Sequence, residues 1–160
     1  DGERLTASAR EHEDELATLI RQYDVGKQVE LTLLRDKAEI KVQVELARSP
    51  RVQREMKKYR NNDFEFTTRD ICFFDVADEQ WPGDQRGALV EDVKPGSWAE
   101  LGSLGVGDLI LEVDGQSVAN VDELRQQMEK VSSGKTPVVL MKVLRSIHTS
   151  FLEIEPAWKN

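Results

Sequence analysis

The 160-residue chain contains a single cysteine, Cys72, which excludes an internal disulfide framework and a multi-cysteine zinc site. Histidine is nearly as scarce. Neither His12 nor His148 stands in a His-Glu-x-x-His pattern, which would put two imidazoles on one helix face for zinc. No apolar run approaches the ~18 residues that span a bilayer, so membrane insertion is not expected. The opening Asp1-Gly2-Glu3-Arg4 has none of the features of a signal peptide. Excess positive charge is also missing: the net charge of −8 argues against a general nucleic-acid binder, which needs a cationic surface. There is no Gly-x-Ser-x-Gly nucleophile elbow. Gly102-Ser103-Leu104-Gly105-Val106-Gly107 has the wrong spacing for a nucleotide loop and precedes a strand rather than a helix. What remains is 39% hydrophobic and 32% charged, enough to bury the core of one ordinary domain or of two small ones.

The charge is uneven. Arg48, Arg51, Arg54, Lys57, Lys58 and Arg60 are opposed by Glu55 alone between residues 48 and 60. With Pro50 and the following Asn61-Asn62-Asp63, this stretch reads as a solvated basic linker over 48–62. The pieces on either side repeat each other. Asp1-Gly2, Asp14-Glu15-Leu16, Gly26-Lys27 and Leu34-Arg35 recur in the same order as Asp114-Gly115, Asp122-Glu123-Leu124, Gly134-Lys135 and Leu144-Arg145. In both copies ten residues separate the helix leucine from the glycine. Residues 1–47 therefore correspond to the second half of a unit whose complete version runs to about residue 156.

Local chemistry supports these elements. Ser8 with Glu11 and Asn120 with Glu123 have capping-box spacing, as do Ser97 and Glu100. Leu16, Leu19, Ile20 and Tyr23 form one helical stripe, and Val121, Leu124, Met128 and Val131 form another. Alternation over 29–33 and 40–46 predicts two half-buried antiparallel strands, with Lys37 in a tight turn between them. Residues 87–93, 109–113 and 149–154 read as strands. The nearly all-apolar 138–144 reads as a strand covered on both faces. Gly107 and Gly115 stand where turns call for positive φ. Ile71-Cys72-Phe73-Phe74, with Val76 and Trp81, is expected to cover the mouth of the fold, with Cys72 buried and inert.

The runs Gly87-Ala88-Leu89-Val90, Val93-Lys94-Pro95-Gly96-Ser97, Leu104 to Gly115 and Val121-Asp122-Glu123-Leu124 strongly resemble a PDZ domain. The flavour is that of the bacterial HtrA (Deg) serine proteases. The resemblance implies an α+β fold: a small antiparallel β-barrel or sandwich capped by two helices over 63–156. Residues 1–47 would be the C-terminal half of a preceding PDZ unit, and 157–160 a tail. It further implies a peptide-binding regulatory fragment with no catalytic group and no cofactor, cut from a serine endopeptidase that works in the periplasm or elsewhere outside the cytoplasm. The Gly-Asn-Ser-Gly-Gly nucleophile stretch of such a protease is missing from these residues.

Such a domain captures a C-terminal tail or unfolded segment by adding it as a strand to a sheet edge beside the longer helix. By resemblance the carboxylate loop lies at Asp63-Phe64-Glu65-Phe66-Thr67, and the binding strand continues through Thr68-Arg69-Asp70-Ile71. Leu124, Gln127 and Met128 line the helix side. The sequence departs from the family here, because Glu65 stands where a glycine is expected and its charge would repel an anion. A loop shifted by one residue, Phe66-Thr67-Thr68, fits nearly as well. Phe64 and Phe66 also suit a plain core strand. Two other readings remain. One is a structural PDZ module with an unused groove that packs on neighbouring PDZ units or subunits. The other is the PDZ region of a membrane zinc protease or a C-terminal processing protease. Half a PDZ sheet leaves unpaired edges, so residues 1–47 are expected to pack on the full domain or on a second copy of the chain. The recruiting role requires an open β-edge; an edge paired within the same fold would make the chain a spacer.

Overall fold

The computed structural model describes residues 13–158. The chain divides into two compact units between Ser49 and Pro50. The repeated Asp1-Gly2 and the Ser8–Glu11 capping pair lie outside the described residues.

The first unit holds α1 (Glu13–Ile20) and an antiparallel hairpin of β1 (Gln28–Arg35) and β2 (Ala38–Glu45). Asp36 and Lys37 join the strands with φ of 52° and 65°. Two successive left-handed residues match the twist of the strands, which is why Lys37 lies at the turn. Val29 and Leu31 are half-buried, whereas Leu33, Leu34 and Ile40 are exposed. None of the described side chains in this unit is fully buried.

The second unit contains β3 (Lys58–Asn61), β4 (Phe66–Asp70), α2 (Phe73–Asp78), β5 (Ala88–Val93), α3 (Trp98–Leu101), β6 (Leu109–Val113), β7 (Gln116–Ser117), α4 (Val121–Gly134), β8 (Val139–Arg145) and β9 (His148–Ile154). The strands form an antiparallel sheet in the order β3-β4-β5-β6-β8-β9, with β7 paired to β6 at the side. The sheet is open; it does not close into a barrel.

The stripe on α4 faces inward as its spacing predicts: Val121, Leu124, Met128 and Val131 are buried with Phe66, Ile110, Val113 and Met141. Asn120 caps the helix, its Oδ1 accepting from the amides of Asp122 and Glu123 at 3.0 Å. Glu123 returns a bond to the Ala119 amide at 2.8 Å, one residue earlier than the expected box. Ser97 caps α3 through the Glu100 amide at 3.2 Å. Gly107 and Gly115 adopt φ of 91° and 75° at the ends of β6.

Two expectations are corrected. β8 is covered on one face only: Val139, Met141 and Val143 are buried while Leu140 is 41% exposed. An antiparallel strand needs one dry face, so an apolar run does not by itself establish two. Residues 58–61, expected to be linker, are strand β3. Their charges point outward while Tyr59 and Asn61 point in, which is the period-two pattern of an edge strand.

Candidate functional site

The site expected from the sequence is the cleft between β4, α4 and the loop that enters β4. That loop, residues 62–65, follows β3 directly. Phe64 lies within it and Phe66 follows it; both are fully buried, Phe64 packing edge-to-face on Trp98 at 5.7 Å and on Trp158 at 5.8 Å. Trp158 also donates to the Thr136 carbonyl at 2.8 Å, so the expected tail contributes to the core. Between the two phenylalanines, Glu65 has φ of 56°. It adopts the left-handed conformation that a glycine would take at no cost, and that a side chain holds at about 1–2 kcal/mol. Its carboxylate pairs with Lys94, which offsets the charge that would repel an anion. The one-residue shift of the loop is excluded, because Phe66, Thr67 and Thr68 are already in β4.

α4 is tied to β4 and to the loop that enters it. At one end the Val121 amide donates to Asp70 Oδ1 at 2.8 Å; at the other, Ser132 donates to Asp63 Oδ2 at 2.5 Å. The edge of β4 between them is not open. β3 pairs with it antiparallel, with Lys58 opposite Arg69, Tyr59 opposite Thr68, Arg60 opposite Thr67 and Asn61 opposite Phe66. The expectation of a free edge is therefore overturned. β3 is tied to α4 as well: Lys57 forms an ion pair with Asp122, and the Arg125 guanidinium stands 5.4 Å from the Tyr59 ring. Burial pushes the Tyr59 phenol above its ordinary pKa. At the loop, Asn61 Oδ1 accepts from the Phe64 amide at 2.8 Å, and Asn61 Nδ2 donates to the Tyr59 hydroxyl at 2.9 Å.

The remaining expected site residues take different roles. Leu124 and Met128 are fully buried core residues and line no open pocket. Gln127 is half-exposed and accepts from Lys130 at 3.2 Å. Thr68 is buried, its hydroxyl 3.4 Å from the Tyr59 carbonyl. Thr67 and Glu65 line a shallow outer hollow of about 220 Å³ with Arg60, Asp92 and Lys94.

Arg69 is buried and does not face the cleft. Its Nη1 and Nη2 donate to Asp75 at 2.5 and 2.6 Å, and its Nε lies 3.2 Å from Glu91. Burial raises the Asp75 pKa, but the Arg69 guanidinium and the Cys72 amide outweigh it and hold the carboxyl at about 2. This pair fastens α2 to β4. Cys72 and Trp81 are buried there as expected, whereas Phe73 and Phe74 are 63% and 40% exposed. α2 turns Asp75 inward toward Arg69, and Phe73 and Phe74 lie on its outer side. Sequence reasoning missed β3, Arg69–Asp75 and the capping role of Asp70. The alternation of Tyr59 and Asn61 just before the loop was the available signal. Among the described residues no group of three or more histidine, cysteine or acidic side chains could hold a metal, and no helix is long and apolar enough to cross a membrane.

A model of the PDZ domain family matches residues 74–144. These residues are a PDZ domain. The chain is 30% identical over 128 residues to the periplasmic serine endoprotease DegP of Escherichia coli K12, a match that covers 80% of this chain and 24% of that protein. A DegP-like periplasmic serine endoprotease of Halomonas elongata is 38% identical over 72 residues, 45% of this chain and 15% of its own length. The chain thus spans about a quarter or less of these relatives. Among solved structures, the HtrA3 PDZ domain bound to a phage-derived ligand aligns with 64% of this chain and 86% of its own, at 24% identity and a TM-score of 0.45. The similarity to DegP and the PDZ family match agree with the resemblance carried by the sequence motifs.

Proposed function

We propose that this chain is a polypeptide-binding PDZ region of an HtrA-type serine protease, holding extended C-terminal or unfolded segments along β4 for a protease domain elsewhere in the parent protein. The observation that carries this reading is β3 itself. It is a strand paired main-chain to main-chain with β4, running beside α4 with its end against the 62–65 loop. A segment added antiparallel to β4 would use the same main-chain groups that β3 uses. In this state the cleft is full, the condition under which the sequence pointed to a spacer, so recruitment requires β3 to vacate the cleft. The relatives' names place those proteins in the periplasm and make them serine endoproteases, and both properties are proposed for the parent of this chain.

The same pairing favours a second reading, in which the groove is permanently closed and the domain is a structural spacer that packs on neighbouring subunits, with residues 1–47 contributing. Titrating the full chain with a library of labelled C-terminal peptides decides between them. Saturable binding supports recruitment. No binding to any peptide, with self-association in analytical ultracentrifugation, supports the spacer.

A further inference from the structure

The strand in the cleft differs from an ordinary edge strand in what holds it. Its inward residues, Tyr59 and Asn61, bond to each other and to the loop, while its attachments to α4 and β5 are exposed or half-exposed ion pairs: Lys57 with Asp122, and Lys58 with Glu91 at 2.7 Å. Exposed pairs contribute little and are screened by salt. The Asn61 side-chain oxygen stands where a terminal carboxylate oxygen would accept from the Phe64 amide. Four ladder pairs and one aromatic ring thus imitate a bound peptide without burying any hydrophobic side chain completely.

We infer that residues 57–61 are a resident, exchangeable ligand of the β4–α4 cleft, and that the segment admitted in their place is basic and extended, with an aromatic residue two positions before its end. This rests on the polypeptide-binding reading above and adds its ligand chemistry and its control. The charge preference follows from Asp122 and Glu91, which lose their lysine partners when β3 departs and keep only Arg125 at 3.9 Å and the Arg69 Nε at 3.2 Å. The aromatic preference follows from Arg125, whose guanidinium would then offer its face to another ring. Residence also sets the affinity. A cleft free in about one molecule in a hundred binds an external segment about a hundredfold more weakly than a cleft always free.

The test places a reversible lock across the strand. Arg60 and Thr67 stand opposite each other on the outer side of β3 and β4. In the full chain carrying Arg60→Cys and Thr67→Cys, oxidation fixes β3 in place and reduction frees it. The probe is a labelled peptide Lys-Lys-Tyr-Arg-Asn with a free carboxyl end, read by fluorescence anisotropy, with Glu-Glu-Tyr-Glu-Asn as the charge-reversed control. The oxidised protein is expected not to bind, and reduction to restore binding. Tyr59→Ala, which removes the strand's anchor, is expected to bind the probe at least about tenfold more tightly than the wild type. Lys57→Ala serves as a milder second variant in case Tyr59→Ala does not fold. The acidic peptide is expected to bind at least about tenfold more weakly than the basic one. Equal binding by the locked and reduced proteins overturns the resident-ligand inference and leaves recruitment at another edge standing. Equal binding of the two peptides overturns the charge preference. No binding of the basic probe by any freed variant overturns this inference, and the recruiting function falls only if the peptide library also fails to bind.

Discussion

Arg69 and Asp75 are a charged pair almost wholly removed from water, at 4% and 6% exposure. Such a pair adds little net stability over an apolar substitute, but removing one partner strands the other in a dry site. Asp75→Ala is therefore expected to cost about 3–5 kcal/mol in urea unfolding. Tryptophan fluorescence reports this unit directly, since Trp81, Trp98 and Trp158 all follow Pro50. The pH dependence has a definite sign. The folded carboxyl titrates at about 2, below its ordinary 3.8, so its contribution is complete above about pH 4 and is lost as pH falls toward 2. The stability gap between the wild type and Asp75→Asn is expected to narrow over that window in acid titrations of the unfolding midpoint. Glu65 makes a related point about legibility. The family pattern called for glycine, and the residue present still adopts the glycine conformation, because the buried phenylalanines on either side and the Lys94 pair dictate the backbone.

α4 was the most legible element. Its cap, its acidic first turn and its stripe of apolar residues are all contained within 15 consecutive positions, 120–134, and need no partner to be recognised. Asn120→Ala removes the one oxygen that accepts from two amides at the helix start and is expected to cost about 1 kcal/mol, visible as a lower urea midpoint with an unchanged slope. Asp70 holds the same turn from β4 through the Val121 amide, so the loss is expected to be shared between the two caps. β3 was the least legible. Its four residues are short, charged and preceded by Pro50, and local composition there favours linker. What makes it a strand is the exposed row of backbone groups on β4, which lies beyond the Asn61–Phe66 turn and carries no trace in β3's own sequence.

The two units differ in how much they bury. Every fully buried hydrophobic residue among those described lies in the second unit. The β1–β2 hairpin is held by its ladder, its turn and exposed pairs such as Glu30 with Lys41 at 2.9 Å. A two-stranded hairpin without a covered face is marginal in water. Amides of residues 28–45 are expected to exchange with deuterium well before those of β6 and β8, and limited proteolysis is expected to leave a core beginning near Pro50. Slow exchange in the hairpin at all protein concentrations would contradict this; slowing with rising concentration would show it packing on a second copy.

By itself the sequence determined the helix stripe and caps, the positive-φ turns, most strands and the family of residues 74–144, because each is written in residues a few positions apart. Tertiary structure alone decided which edge of the sheet was occupied and by what. Strand addition is a main-chain bond between segments, so any extended stretch that reaches β4 can make it, and which stretch does so depends on geometry rather than on side-chain pattern.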